Sequence, residues 1–450
     1  MKNLTTGNIY KTFFLFGLPL VLSGLLSQTY HVVDTMIAGK FLGDRGLAAI
    51  GAVSPFLTFV SSLLWGFGAG AGIYLANLFG KGEYKRIKES VYTLTVYLLV
   101  FCLVIAALVL LLHNQIFDFL KVDETLRKEA FSYFAVYMGG LFFILMTNYG
   151  LYILTAFGVG NFPFWMSLIA AVCNVAGNLL CVVLLKTGVM GLALSTVVAS
   201  AVVSVFYWLK FQKCFAEMGV KEEKVRVSFR ALKNTFSYSV PAAIQQSTMY
   251  LSSMLLSPLV NGLGPSASAS YAVVSRVYDI NAAVYQNSSR ASTNYAAQCV
   301  GQGKCDKIKK GVFVGLLQGV AFVLPFLLVC SVFHKPVCSL FFKADADALT
   351  KEYSYLFASR YLPFIVINLV CNLFHGLFRG VKAMGYLFTS TLLATVVRYV
   401  ASAILIRFMG MEGFYLGWLV SWVIEAIFVL LLFFFGKWNP DERRARKQNS

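Results

Sequence analysis

The sequence predicts an all-α integral membrane protein, with twelve transmembrane helices in two pseudo-symmetric six-helix lobes. Three observations carry that reading. The 450-residue chain is 58% hydrophobic and 13% charged, a balance that soluble folds do not hold. Its apolar residues lie in blocks that repeatedly reach the roughly 20 residues a helix needs to cross a bilayer. The segment GKGEYKRIK at Gly80–Lys88 also returns as GQGKCDKIK at Gly301–Lys309, an offset of 221 residues.

The echo runs along the chain. Pro19 recurs as Pro241, Leu42-Gly43 as Leu263-Gly264, Gly158 as Gly380 and Gly191 as Gly413, all at 221 or 222 residues. Two copies of one unit, offset by one insertion or deletion, explain the spacing. The first copy holds blocks at residues 13–38, 46–79, 91–113, 130–157, 163–186 and 189–210. The second holds 232–260, 267–299, 311–333, 352–378, 386–406 and 413–436. Several exceed the minimum span, which implies tilt or protrusion.

The first block carries Ser23, Ser27, Gln28, His31 and Asp34 and has no small-residue cleavage site behind it, so it reads as a retained helix and not a signal peptide. The second contains GFGAGAG, in which Gly66 and Gly70, and again Gly68 and Gly72, stand four apart and bare the backbone for close packing. A phosphate cradle is the weaker reading, because no strand precedes it and no Lys-Ser/Thr closes it. The eighth block is conspicuously polar, with Arg276, Asp279, Asn281, Gln286, Asn287 and Arg290. One side of it must border water or protein polar groups, and a cavity wall is the economical explanation.

A charged stretch at residues 211–231 links the lobes 1–210 and 232–436, and a basic tail occupies 437–450. Six helices per lobe bring both copies into the bilayer from the same side, which predicts an axis along the membrane normal and a binding cavity between the lobes. The net charge of +18 gathers in the segments that a cytoplasmic N-terminus places inside. That asymmetry predicts a multi-pass protein of the cell membrane with both termini cytoplasmic, in contact with anionic lipid and without a nucleic-acid partner. Nine scattered cysteines show no CxxC pair and read as buried packing residues. No catalytic dyad or cofactor motif is visible, so neither an enzyme nor a cofactor is expected.

Three carboxylates fall well inside apolar blocks: Asp34, Asp279 and Glu425. Each costs about 2.5 to 3.5 kcal/mol on insertion scales, so it normally has a task. Ser27, Tyr30 and His31 precede Asp34 by seven, four and three residues and share its helical face. Such an aspartate either takes up and releases a proton or, with oxygen-bearing neighbours, coordinates Na⁺. Asn174 and Asn178 share a face of the fifth helix within reach of Thr196, as an ion site or as amides that join helices. His31, Gln28, Gln245, Gln246, Arg276, Asp279 and Arg398 are candidates for a relay or a substrate cavity. Arg276 with Asp279, and Arg398 with Glu425, read equally as ion pairs or as cavity groups.

These motifs resemble the multidrug and toxic compound extrusion (MATE) family, over nearly the whole chain. LPLVLSGLLSQTYHVVDTMIAGKFLG resembles its first helix, GFGAGAGIYLANLFGKGEYKRIKES its second helix and loop, CNVAGNLLCVVLLKTGVMGLALST its fifth and sixth helices, and LFRGVKAMGY its tenth-helix exit. The chain is more similar to the DinF-like type than to the NorM-like type, which places further acids in the seventh and tenth helices; here the seventh carries Gln245 and Gln246 but no carboxylate, and the tenth has only Glu352 at its edge. In DinF-like members a cation site gathers residues that fall by motif position on Asp34, Tyr30, Asn174, Asn178 and Thr196; Asn178 stands where some relatives carry an acid. The resemblance implies a monomeric antiporter that exports an amphipathic organic cation as H⁺ or Na⁺ enters, with Na⁺, where used, at Asp34, Asn174 and Asn178. The rival is an exporter or flippase of an organic anion or lipid-linked precursor, using a cavity lined by Arg276, Arg290, Arg360 and Arg398. A major-facilitator transporter shares the helix count but not the loop sequence.

Overall fold

The computed structural model describes residues 1–342 and 347–441; the side chains of His31, Asp44, Met249, Ser253 and Met254 are also outside the described residues. All regular structure among the described residues is helical. In a bilayer the backbone must satisfy its own polar groups, and a helix does so within one segment.

Among the described residues twelve long helices follow one another. The run Ile9–Lys81 is two of them, α1 (Ile9–Gly43) and α2 (Arg45–Lys81), broken at Gly43. Then come α3 (Tyr84–Leu111), the bent α4 (Glu124–Gly139 and Leu141–Ala156, 50° apart), α5 (Asn161–Leu184) and α6 (Val189–Glu217). The remainder are α7 (Phe229–Asn261), α8 (Pro265–Gln302), α9 (Cys305–Val332), α10 (Ala348–Gly380), α11 (384–410) and α12 (411–435), the last two joined in one run, Met384–Phe435. Among the described residues, eight stretches pass as apolar spans, or nine with the bent pair; the 52-residue run holds two spans, and α7 and α8 are too polar to register.

The breaks obey the repeat. Gly43 (φ 65°, ψ −170°) has its counterpart in Gly264 (φ 106°, ψ 176°), and Gly188 (φ 68°, ψ −149°) in Gly410 (φ 57°, ψ −133°). Positive φ with extended ψ is open essentially to glycine alone, so the duplicated glycines mark where each copy turns the chain.

Contacts divide the chain into two compact units: Met1–Asn3 with Leu25–Ala243, and Leu4–Gly24 with the described part of Ile244–Ser450. In the first unit, Val53, Leu57, Val109, Phe117, Phe134 and Met138 form a dry core contributed by α2, α3, α4 and the short helix His113–Phe119. The glycines of α2 divide their work. A Cβ on Gly66 would stand 2.5 Å from the Ala243 Cα and one on Gly70 2.3 Å from the Ser239 Cα, so these two admit the α7 backbone. Gly68 and Gly72 face Tyr152 of α4.

Lys88 of α3 is 5% exposed. Its Nζ donates to the carbonyls of Val220, Lys221 and Glu223 at 3.0, 2.6 and 2.6 Å, tying the loop after α6 to α3. The ammonium supplies three donors, and this loop uses them all.

In the second unit, α8 buries Asn281, Ser288, Ser289, Asn294 and Gln298. Ser289 Oγ donates to the Asn372 carbonyl of α10, and Gln298 Oε1 accepts from the Leu4 backbone at 2.9 Å. This face of α8 is a protein-lined seam and not a water-filled wall; small side chains let α10 approach, with Gly376 against Ser289.

Two outcomes follow from the packing. Gly66→Ala or Gly70→Ala must push backbones apart and is expected to lower the thermal midpoint of the purified protein, at about 1–3 kcal/mol of overpacking. Gly51→Ala, with nothing within 4 Å of its Cβ, serves as the neutral control. Lys88→Met orphans three carbonyls and is expected to expose the 218–228 loop to limited proteolysis, whereas Lys213→Met leaves the cleavage pattern unchanged.

Candidate functional site

α1, α5 and α6 converge on one polar cluster in the first unit. Asp34 and Tyr30 lie one turn apart on α1, and both are half-buried. Asn174 and Asn178, 2% and 0% exposed, lie one turn apart on α5. Just past Asn178 the helix widens into a π-helical segment, Leu179–Leu184, a feature frequent at functional sites.

The hydrogen bonds form a directed chain. Asn178 Nδ2 donates to Asp34 Oδ1 at 2.5 Å and to Asn174 Oδ1 at 3.2 Å. Asn174 Nδ2 donates to Thr196 Oγ1 at 3.2 Å, and Thr196 donates to the Leu192 carbonyl at 3.1 Å. The amide of Asn178 thus spends both its protons. Its own Oδ1 is buried and has no hydrogen-bond partner among the described residues. A buried acceptor left bare costs about 1–3 kcal/mol, so this oxygen, like Asn281 Oδ1 in the second unit, is open to a further donor.

Ile37, Ala38, Val182 and Leu192 form an apolar collar next to the cluster. Tyr133 of α4 stands within electrostatic reach of Asp34, as does Tyr30; Tyr133 stacks on Tyr137, whose hydroxyl lies 3.4 Å from Ser61 Oγ. The sequence reading missed Tyr133, Tyr137 and Ser61; two tyrosines four apart in the fourth block were the available signal.

The other singled-out residues are elsewhere. Gln28 is half-buried on α1 and takes no part in the chain of hydrogen bonds. The His31 side chain lies outside the described residues. Gln245, Gln246, Arg276, Asp279 and Arg398 belong to the second unit. Gln245 is buried, Gln246 half-buried, and Arg276 exposed, acting on half-buried Asp279 through space. Arg398 donates to Ser421 at 3.2 Å and sits over the Trp418 ring. Glu425 lies 3.3 Å from His375, a partner the sequence reading did not name.

The family model MatE matches residues 19–180 and again 241–404, two segments offset by the internal repeat. The chain belongs to the MatE family. It is a membrane transporter of the multidrug-efflux type, not an enzyme. The Bacillus subtilis "Probable multidrug resistance protein YpnP" is 24% identical over 439 residues, covering 96% of this chain and 97% of the relative. The Staphylococcus aureus (strain MSSA476) "Multidrug export protein MepA" is 23% identical over 395 residues, covering 86% and 82%. Among solved structures, an outward-facing multidrug resistance MATE family transporter of the MOP superfamily superposes with a TM-score of 0.88 at 18% identity, covering 100% of this chain and 99% of that one. The MatE fold of twelve transmembrane helices in two six-helix lobes is therefore the fold of this chain.

Asn178→Leu removes a hydrogen bond to the ionised form of the Asp34 carboxylate and is expected to favour the protonated carboxyl by about tenfold or more, measured by infrared titration of its carboxyl stretch. Thr196→Val, at the far end of the chain of bonds, is expected to shift that titration less.

Proposed function

We propose that this MatE protein is a secondary antiporter of the cell membrane that exports amphipathic organic cations in exchange for H⁺ by alternating access. It works as a monomer in contact with lipid, with lobes 1–210 and 232–436 joined by a cytoplasmic linker at 211–231, and with both termini, including the tail at 437–450, cytoplasmic. The observation that carries the reading is the Asp34–Asn178–Asn174–Thr196 chain, with one carboxylate and one unused amide oxygen at its inner end.

That donor set favours a proton over Na⁺. A hard cation stripped of water needs several oxygens around it, and this cluster offers a single carboxylate, with Asn174 Oδ1 and Thr196 Oγ1 each left one lone pair by the hydrogen bonds they accept. A proton needs one carboxylate oxygen. With Asp34 ionised the pocket carries one negative charge, which favours an organic cation or H⁺ but not both. Loading the proton removes that charge and lets the cation leave, which is the exchange an antiporter requires. The relatives described as multidrug resistance and export proteins support drug export; the cationic character of the substrate rests on the Asp34 charge.

Of the four arginines that an anion carrier would use, Arg360 pairs with Glu412 at 3.2 Å, while Arg276, Arg290 and Arg398 keep their charge beside Asp279, Asn287 and Ser421.

The test uses liposomes containing the purified protein and loaded with a fluorescent organic cation, with a proton or a sodium gradient imposed separately. The expected result is efflux driven by the proton gradient and lost in Asp34→Asn, with the mutant's thermal midpoint unchanged. Full gradient-driven efflux in Asp34→Asn would overturn the reading, and efflux driven by sodium alone would reassign the ion.

A further inference from the structure

The second unit carries an ionisable cluster that the Asp34 site does not use. α12 presents Glu425, 4% exposed, and α10 presents His375, 5% exposed. His375 Nε2 lies 3.3 Å from Glu425 Oε1. Two titratable groups in lipid-embedded helices are expensive, and apolar residues would fill the same space at lower cost.

The hydrogen bonding around them leaves a proton with two homes. Ser390 of α11 places Oγ 2.9 Å from the same Nε2, and it donates its own hydrogen to the Leu387 carbonyl at 3.0 Å. A protonated Nε2 therefore has two acceptors, Ser390 and the ionised Glu425. An unprotonated Nε2 has one strong donor to receive from, the carboxylic acid of Glu425. These two arrangements hold the same proton on either atom; a net proton enters when a neutral Nε2–H ring beside the ionised Glu425 becomes an Nδ1–H ring beside the Glu425 acid, in the same geometry.

Charge surrounds the pair from three helices. On α10, the Cys371 thiol bonds Glu425 and Arg379 acts on His375 through space. On α11, Arg398 acts on Glu425 through space. On α8, Tyr278 lies within reach of Arg398 and Asp279 and stacks on Trp422. An ionised Glu425 balances Arg398, so a proton added to the pair leaves that guanidinium unbalanced. Arg398 is half-buried and so able to show its charge beyond the pair.

A polar track reaches the pair along α10. Asn368, Asn372, His375 and Arg379 recur every three or four residues on one face, over about 16 Å at 1.5 Å per residue. Asn372 Nδ2 donates to Asn368 Oδ1 at 2.9 Å, Asn368 Nδ2 to the Tyr278 hydroxyl at 2.8 Å, and the Tyr278 and Tyr285 hydroxyls lie 2.7 Å apart.

We propose that Glu425 and His375 form a second proton-binding site, loaded and unloaded during transport, whose proton sets the charge that Arg398 shows to a cationic substrate. The role in transport rests on the antiporter reading above; the proton site itself does not.

The experiment is infrared difference spectroscopy of the reconstituted protein between about pH 5 and about pH 8, following the protonated-carboxyl stretch across the range in which histidine-linked sites titrate. The expected result is a band that grows on acidification in the wild type and in Asp34→Asn and is missing from Glu425→Gln. His375→Asn keeps the carboxyl and displaces the midpoint. No pH-dependent band assignable to Glu425 overturns the proposal. Where Glu425→Gln is not recovered folded, an undisplaced midpoint in His375→Asn overturns it.

In liposomes with a pH indicator, Glu425→Gln is expected to lower the number of protons exchanged per exported cation while Asp34→Asn abolishes coupled export. An unchanged count in Glu425→Gln overturns the transport role. Intact proton-driven efflux in Asp34→Asn overturns the antiporter reading alone, because the infrared titration decides the proton site separately.

Discussion

Hydrocarbon offers no hydrogen-bond partner, so each polar group inside a membrane protein must find one in the protein or in water that the protein admits. Most of what is distinctive in this chain follows from that constraint. Its regular structure is helical throughout the described residues, and two of the breaks in each copy of the repeat fall at glycines whose dihedral angles are closed to other residues, Gly43 and Gly188, Gly264 and Gly410. Where side chains are polar and buried, as along α8, they bond to a neighbouring helix or to a carbonyl four residues back, as Ser288 and Thr293 do. Lys88 shows the same rule at a loop, where one ammonium collects three carbonyls. Asn178 Oδ1, next to the Asp34 carboxylate, and the close approach of Glu425 to His375 are the two places where this rule meets ionisable groups.

The helices were legible because their signal is long-range and redundant. Apolar blocks of sufficient length, recurring at an offset of 221 or 222, survive the loss of any one residue. α7 and α8 show how far that signal carries: neither passes as an apolar span, yet the repeat and the neighbouring loops place both. The Asp34 cluster was legible for a narrower reason. A carboxylate inside an apolar block is rare enough to notice, and one-turn spacing ties Tyr30 to it and Asn174 to Asn178.

What the sequence hid were partners brought together by helix packing alone. Tyr133 and Tyr137 look like ordinary aromatic residues of a membrane helix, and nothing in the one-dimensional pattern says that Tyr133 comes within reach of Asp34 and Tyr137 of Tyr30. His375 sits in the apolar stretch CNLFHGLF, where a histidine reads as a packing residue until α12 is seen to bring Glu425 against it. Arg398, which sign of charge suggested as a partner, acts on Glu425 through space, while His375 stands 3.3 Å from it. Periodicity predicts which residues share a helix face, but not which faces meet.

The two copies of the repeat are furnished differently, and this asymmetry bears on function. At the same offsets, Asp34 corresponds to leucine, Leu255 or Leu256, while Glu425 corresponds to Val203 and His375 to Ile153. Val203 and Ile153 are buried, at 2% and 0% exposure, so the positions are interior in both copies and only their chemistry differs. Duplication of a helical scaffold supplies two equivalent frames, and each frame here has placed an ionisable group where its counterpart kept an apolar one. Because the groups come from different helices, α1 with α5 in one unit and α10 with α12 in the other, a change of charge at one acts on different helix contacts from a change at the other. A transporter that must distinguish two states has use for such inequivalence, since two identical sites would respond to the same ion in the same way and leave the halves of the cycle without distinct signals.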